Sequence, residues 1–188
     1  GLGENVVCPD VITYNEVEYP VTSMDNIFYS NKTIKTVVLP KGLTSIGGDA
    51  FSGCSSLTSI NIPGSVTSIR YSAFNDCSSL TSINIPGSVT SIGTNAFFGC
   101  SSLDEVHISD IAAWCNLSLG DAHSNPLNYA TKLFVNDVLV TDLVIPDGVT
   151  SIGDYAFYGC SSLVSINIPG SVTSIGSYAF NNCSSLDE

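Results

Sequence analysis

The apolar positions of this chain recur with one long, fixed period. Leu57, Ile60, Ile62, Val66, Ile69, Ala73, Phe74 and Cys77 return 23 residues later as Leu80, Ile83, Ile85, Val89, Ile92, Ala96, Phe97 and Cys100. The string Cys-Ser-Ser-Leu begins at Cys54, Cys77, Cys100, Cys160 and Cys183, and Ala-Phe precedes each. On these anchors units begin at Ile34, Leu57, Leu80, Leu103, Val140 and Leu163, and a seventh starts at Leu186. The unit 103–139 has 37 residues and is irregular. Residues 1–33 do not fit and are expected to form an N-terminal cap on a repeat region, 34–188, of about six units. A fixed period in this range marks a solenoid.

Within a unit the pattern predicts short strands. In Leu57-x-x-Ile60-x-Ile62 the apolar residues alternate, as on a strand with one buried face. Pro63 ends the strand because proline has no N–H for the ladder, and Pro40, Pro86, Pro146 and Pro169 repeat the stop. A turn follows, and Val66-x-x-Ile69 is expected as a second short strand. The stretch before Cys77 is expected as one helical or 3₁₀ turn. Gly48, Tyr71, Thr94, Asp154 and Ser177 take its N-cap position. Gly53, Asp76, Gly99, Gly159 and Asn182 suit a left-handed C-cap. A single unit cannot bury its apolar face, so units must stack, each contacting mainly its neighbours.

The recurring pattern L-x-x-I-x-I-P-x-x-V-x-x-I-x-x-x-A-F-x-x-C-x-x is clearest in Leu57–Ser79, Leu80–Ser102 and Leu163–Ser185. It resembles the BspA-like leucine-rich repeats, over about residues 34–188. Proline stands where the standard leucine-rich pattern has Asn or Cys. The resemblance implies a right-handed, curved leucine-rich-repeat solenoid, β-rich with short helical or 3₁₀ turns. It also implies a bacterial protein that is secreted or exposed on the cell surface, some relatives being adhesins. It carries over no catalytic residue.

Composition narrows the function. Five Lys+Arg stand against 17 Asp+Glu, a net charge of -12. Nucleic acid is not an expected partner, since phosphate binding needs clustered cations. No stretch approaches the roughly 20 apolar residues of a membrane span, so no membrane insertion by this segment is expected. The opening Gly1 points to a trimmed chain from which a targeting peptide would be gone. Five of the seven cysteines follow the repeat and are expected as buried, reduced thiols. Equivalent side chains on stacked units point in parallel, which is poor disulfide geometry, while a Cys8–Cys115 pair stays open. With no Cys-x-x-Cys spacing, zinc is not expected, nor is any other cofactor. His107 could be imagined with Cys115, Asp110 or Asp121, but the spacing fits no nucleophile or metal motif. Solvated polar residues are the plainer reading, and no enzyme is expected. Asn31, Asn116 and Asn182 head glycosylation-type triplets, read as chance in a chain rich in Ser, Thr and Asn.

Outward strand positions are the expected binding surface: Ser59, Asn61, Ser82, Asn84, Glu105, His107, Asp142, Ser165 and Asn167, with Thr36, Val38 and Val144 beside them. The enlarged unit adds Trp114 on a short helix, to be packed on the solenoid or exposed for recognition. It also adds a hairpin turning at Asn136-Asp137. Two functions remain open. One is a recognition or adhesion module for protein or glycan, including host mucosal or matrix components. The other is a structural spacer or stalk, favoured by the near-identical outward residues. At the N-terminus Val6, Val7, Val11, Ile12 and Tyr14 are available to cover Ile34. At the other end the pattern stops at Leu186-Asp187-Glu188. Either further repeats or end-to-end self-association through Ile166, Ile168, Val172, Ile175 and Phe180 is expected there, with Asp187 and Glu188 weakening such pairing.

Overall fold

The computed structural model describes residues 3–186, so Asp187 and Glu188 lie outside the described residues. The chain winds into about seven coils of roughly 23-residue spacing. Two parallel strand ladders run along it. The first has two paired stretches that follow one another, Asn5–Val7 with Thr36–Val38 and Ser59–Asn61, and Ser82–Ile85 with Glu105–Ile108 and Lys132–Val135. The second joins Ser23–Met24, Ser45–Ile46, Ser68–Ile69, Ser91–Ile92 and Ser118–Leu119. In the strands of coils 57–79 and 80–102 the buried residues are apolar and their outward neighbours are Ser or Asn. That is the period-2 alternation of a sheet with one face in the core.

The third side of each coil is a chain of tight turns, where one helical or 3₁₀ turn was expected. Ala50, Ser52 and Cys54 donate within the coil to Gly47, Asp49 and Phe51. Asp49, Phe51 and Gly53 donate to Tyr71, Ala73 and Asn75 of the next coil. Every second N–H is thus turned outward, which a helix cannot do. Two left-handed residues per coil make this alternation. One is the expected C-cap site, with Gly53, Asp76, Gly99, Gly159 and Asn182 all at positive φ. The other was not foreseen: Asp49, Ser72, Asn95, Tyr155 and Tyr178 lie at φ 51–58°. With no helix here, the expected N-cap positions have no capping role. Two backbone N–H groups at them are held across coils, Gly48 by Asp25 and Ser177 by Asp154.

Residues 5–33 wind as a coil of their own. Phe28 stacks on Phe51 at 5.3 Å, and Asn26 and Ser30 take the two left-handed positions. The spacing of 23 from Phe28 to Phe51 was a legible signal. Val11, Ile12 and Tyr14 do not cover Ile34. They sit on an antiparallel hairpin, Val11–Tyr14 with Val17–Pro20, whose residues are all exposed. Ile34 is instead buried, and of the cap residues named for it only Val6 packs on the core. Arg70 reaches back across coil 34–56 to Asp25 at 3.2 Å, tying the first coil down.

Inside, residues from consecutive coils stack in columns. Phe51, Phe74 and Phe97 lie 5.3–5.4 Å apart with nearly parallel rings, and Phe157 pairs with Phe180 the same way. Offset ring stacks contribute about 0.5–1.5 kcal/mol beyond burial. The thiols have a structural task. Cys54, Cys77, Cys100 and Cys183 each donate Sγ–H to the carbonyl of Phe28, Phe51, Phe74 and Phe157 respectively, at 3.1–3.2 Å. Cys160 has no such phenylalanine one coil back and meets Ser162 Oγ at 3.8 Å instead. All seven cysteines are free, Cys8 and Cys115 included, and Cys8 and Cys183 are only half-buried.

The fourteen extra residues of 103–139 do not form one excursion. Coil 103–129 is four residues longer than the coil before it and carries the helix Ile111–Cys115 and two 3₁₀ turns, Ala122–Ser124 and Pro126–Asn128. The next strand, Lys132–Val135, takes its place in the first ladder and then folds back on Val138–Leu139. Asn136 and Asp137 turn that hairpin, both at positive φ, as expected for this dipeptide. Both ladders stop here and resume as separate pairs, Asp142–Val144 with Ser165–Asn167 and Ser151–Ile152 with Ser174–Ile175.

Two outcomes follow. A methyl group on Gly93 would lie 2.5 Å from Tyr71 N, whereas one on Gly64 would meet nothing within 4 Å. Gly93→Ala is expected to cost about 1–3 kcal/mol in urea unfolding, as overpacking does, with Gly64→Ala near neutral. Burial pushes the Cys54 thiol up to about 11 and Cys100 up to about 12, and raises Cys77 too. The unfolded thiols ionise first, so this stability is intact below the ordinary thiol value of 9.0 and is lost as pH rises from there toward about 11. Urea midpoints measured across that window should fall, and should fall less in Cys77→Ala and Cys100→Ala.

Candidate functional site

The outward residues of the first ladder form two rows. One runs Asn5, Thr36, Ser59, Ser82, Glu105 and Lys132, the other Val7, Val38, Asn61, Asn84, His107 and Phe134. Beyond the break, Asp142 and Ser165 continue the first row, and Val144 and Asn167 the second. Ser59, Asn61, Asn84, Asp142, Ser165 and Asn167 are exposed, while Ser82, Glu105 and His107 are half-exposed. All nine therefore face solvent, as outward strand positions must when their neighbours fill the core. Trp114 does not. It is 3% exposed, and its Nε1 donates to Ala156 O at 2.7 Å.

Trp114 belongs to the break in the ladders. In regular coils the Phe N–H donates to the next coil's Ala carbonyl, as Phe51 does to Ala73. The long coil has Ser124 in place of Phe. Ala156 O is met instead by Trp114 Nε1 and by Asn125 Nδ2, which also reaches Tyr155 O. Asp110 caps the short helix by accepting from Ala113 N, and this aims Trp114 inward. The recognition role imagined for Trp114 gives way to a structural one: an indole N–H replaces a missing backbone donor.

The rows change character at coils 103–129 and 130–162. Five exposed or half-exposed groups meet there on three adjacent elements. The His107 ring stacks on Phe134, with centroids 4.7 Å apart and planes at 7°. His107 Nε2 lies 3.2 Å from Glu105 Oε2, and Nδ1 lies 3.4 Å from Asp137 Oδ1 at the hairpin tip. Opposite Glu105 in register stands Lys132, whose Nζ is 2.6 Å from Asp104 Oδ2. Lys132 and Thr131 both donate to Asp104 and hold its carboxyl below its ordinary value. A hollow of about 250 Å³ opens beside Asn84, His107, Ser109 and Asp137. Another of about 270 Å³ opens beside Ser82, Asp104 and Glu105.

Glu105 and His107 were legible as departures from Ser and Asn. Lys132, Phe134 and Asp137 were not. Lys132 follows Glu105 by 27 residues, so the fixed period of 23 steps past it. The alternation Leu133 in, Phe134 out was the signal that could have placed them. Among the described residues no group of three His, Cys, Asp or Glu side chains is placed to hold a metal.

Two parallel ladders, one coil per repeat and a polar outward face define a leucine-rich-repeat solenoid. Residues 22–115 and 129–188 match the BspA type leucine rich repeat region in six copies, and the chain belongs to that family. It is similar to a Treponema pallidum leucine-rich repeat protein, TpLRR, at 29% identity. The match covers 99% of this chain and 79% of that one, with a TM-score of 0.66. A leucine-rich repeat protein from Bacteroides capillosus is 30% identical over 57% of this chain and 78% of its own, with a TM-score of 0.52. Among curated proteins none matches at a significant level.

Trp114→Phe keeps the ring but removes the donor to Ala156 O. It is expected to lower stability by about 1–3 kcal/mol, from the lost bond to a carbonyl that Asn125 Nδ2 still holds and from the smaller ring at a buried site. Asn125→Ala should behave alike, and both shifts are read by urea unfolding.

Proposed function

We propose that this chain is a non-enzymatic recognition module, secreted or displayed on the cell surface, that binds protein or glycan on the outward face of its first ladder. One observation carries this reading. The Ser/Asn rows give way to a His107–Phe134 ring stack flanked by Glu105, Asp137 and Lys132, and none of these five side chains is needed in the core. Aromatic and charged groups clustered on an otherwise plain face are what interface centres use. Membership of the BspA type family supports a binding role and extracellular placement. No helix among the described residues is long and apolar enough to cross a membrane.

A spacer is the second reading, and it too has an observation in its favour. Coils 57–79, 80–102 and 163–185 present the same Ser and Asn pairs, whereas a tuned interface would vary them. Binding to mucosal extracts, matrix proteins and a glycan array separates the two. Replacing Glu105 by Ser and His107 by Asn restores the residues of the two preceding coils without touching the core. The recognition reading expects capture by the parent chain and at least about a tenfold weaker affinity in this double variant, roughly 1.4 kcal/mol. Equal affinity of the variant removes this face from the reading, and capture of nothing by either chain leaves the spacer.

A further inference from the structure

Charge is unevenly placed along the solenoid. From residue 71 onward eleven Asp+Glu stand against one cation, Lys132, while residues 1–70 hold six acids and four cations. Lys132 is already neutralised by Asp104 at 2.6 Å. The outward face of coils 103–129 and 130–162 therefore presents carboxylates without a free counter-cation among the described residues. Glu105 is 38% exposed, and Asp137, on the hairpin tip, is 95% exposed. Asp142 is exposed one strand further on.

We propose that the occupant of this face is a basic protein segment, bearing Lys or Arg, laid across strands Ser82–Ile85, Glu105–Ile108 and Lys132–Val135. This rests on the recognition reading above and names its partner class. Glu105 and Asp137 stand on opposite sides of the His107 ring, Asp137 at one hollow and Glu105 at the other, so two successive cationic side chains would each meet a carboxylate. The two hollows of about 250 and 270 Å³ each have room for an ammonium or guanidinium head. Asn84, Ser109 and Asn136 offer further oxygen acceptors in the first, and Thr81, Ser82 and Ser102 in the second. Half-buried Phe134, with exposed Val144 beyond the break, gives the aliphatic stems of such side chains apolar surface to lie on. An acidic partner would place like charge against Glu105, Asp137 and Asp142. Steering by the net charge of -12 accelerates the encounter with a cationic partner and not with a neutral one.

The test uses the whole chain and three fluorescent octapeptides, (Ser-Arg)₄, (Ser-Gln)₄ and (Ser-Glu)₄, read by anisotropy. The basic peptide is expected to bind at least about tenfold tighter than the neutral one at low salt, and to weaken several-fold at roughly 0.3 M salt. Glu105→Gln with Asp137→Asn should weaken it at least about fivefold. Glu16→Gln with Glu18→Gln removes the same charge from the distant hairpin and should leave affinity unchanged. Circular dichroism confirms that both variants fold. An equal loss in the two variants would mean bulk attraction and overturn the proposal, as would preference for the neutral or acidic peptide or binding of none. Capture from mucosal extracts that stays sensitive to Glu105 and His107 while (Ser-Arg)₄ fails would keep the recognition face and remove the basic partner.

Discussion

The backbone of one coil cannot satisfy itself. Each coil leaves N–H and C=O groups pointing along the solenoid axis on all three sides, and buried groups of this kind must be paired. Only a neighbouring coil of matching length can meet them all. The period of 23 follows from this constraint, and so does much of the side-chain choice. Glycine stands at 93, 120 and 176 because the preceding coil's backbone passes within hydrogen-bonding reach there, leaving no room for a methyl group. Cysteine recurs because it is small, apolar and still able to donate one weak hydrogen bond to the phenylalanine carbonyl of the coil before.

The long coil shows the same rule under stress. Four extra residues put its backbone out of step, the second ladder ends in it, and the first ends one strand later at the hairpin. What closes the gap is a set of substitutes. Trp114 and Asn125 supply donors to Ala156, and Gly153 N reaches Cys115 O. Such a joint needs residues that a repeat consensus does not contain. Its irregularity also releases the neighbouring outward positions from the uniform Ser and Asn rows. The one aromatic and charged cluster of the first-ladder face among the described residues stands beside it.

Most of the fold was legible because repetition multiplies weak signals. The strands, the proline stops and the left-handed residues at 53, 76, 99, 159 and 182 could all be read from spacing. Two features escaped. The second left-handed position carries Asp49, Ser72 and Asn95 but also Tyr155 and Tyr178, and tyrosine does not announce that conformation. The first coil lacks the Ala-Phe and Cys-Ser-Ser-Leu strings, so only Phe28 betrayed it. Of the candidate site, Glu105 and His107 were visible as breaks in a pattern. Phe134, Lys132 and Asp137 were hidden by a spacing of 27, since register decides which face a residue takes and a sequence period reports register only while it holds. Trp114 was ambiguous because the carbonyl it serves lies 42 residues away.

The double break in the ladders leaves one continuous core crossed by a joint with little strand pairing, and two cooperative blocks are the expected consequence on unfolding. Between regular coils, separation means breaking backbone pairing along the strands and the turns together with a ring stack. At the joint it means breaking a handful of bonds, several of them from side chains. In a nearest-neighbour description of repeat stability, that interface, interrupted in both ladders, is expected to carry a weak coupling term. A rod attached at one end and loaded at the other would yield there first, and the coils on either side would remain folded. The residues that make this chain unlike its own repeats thus also set where it gives way under tension.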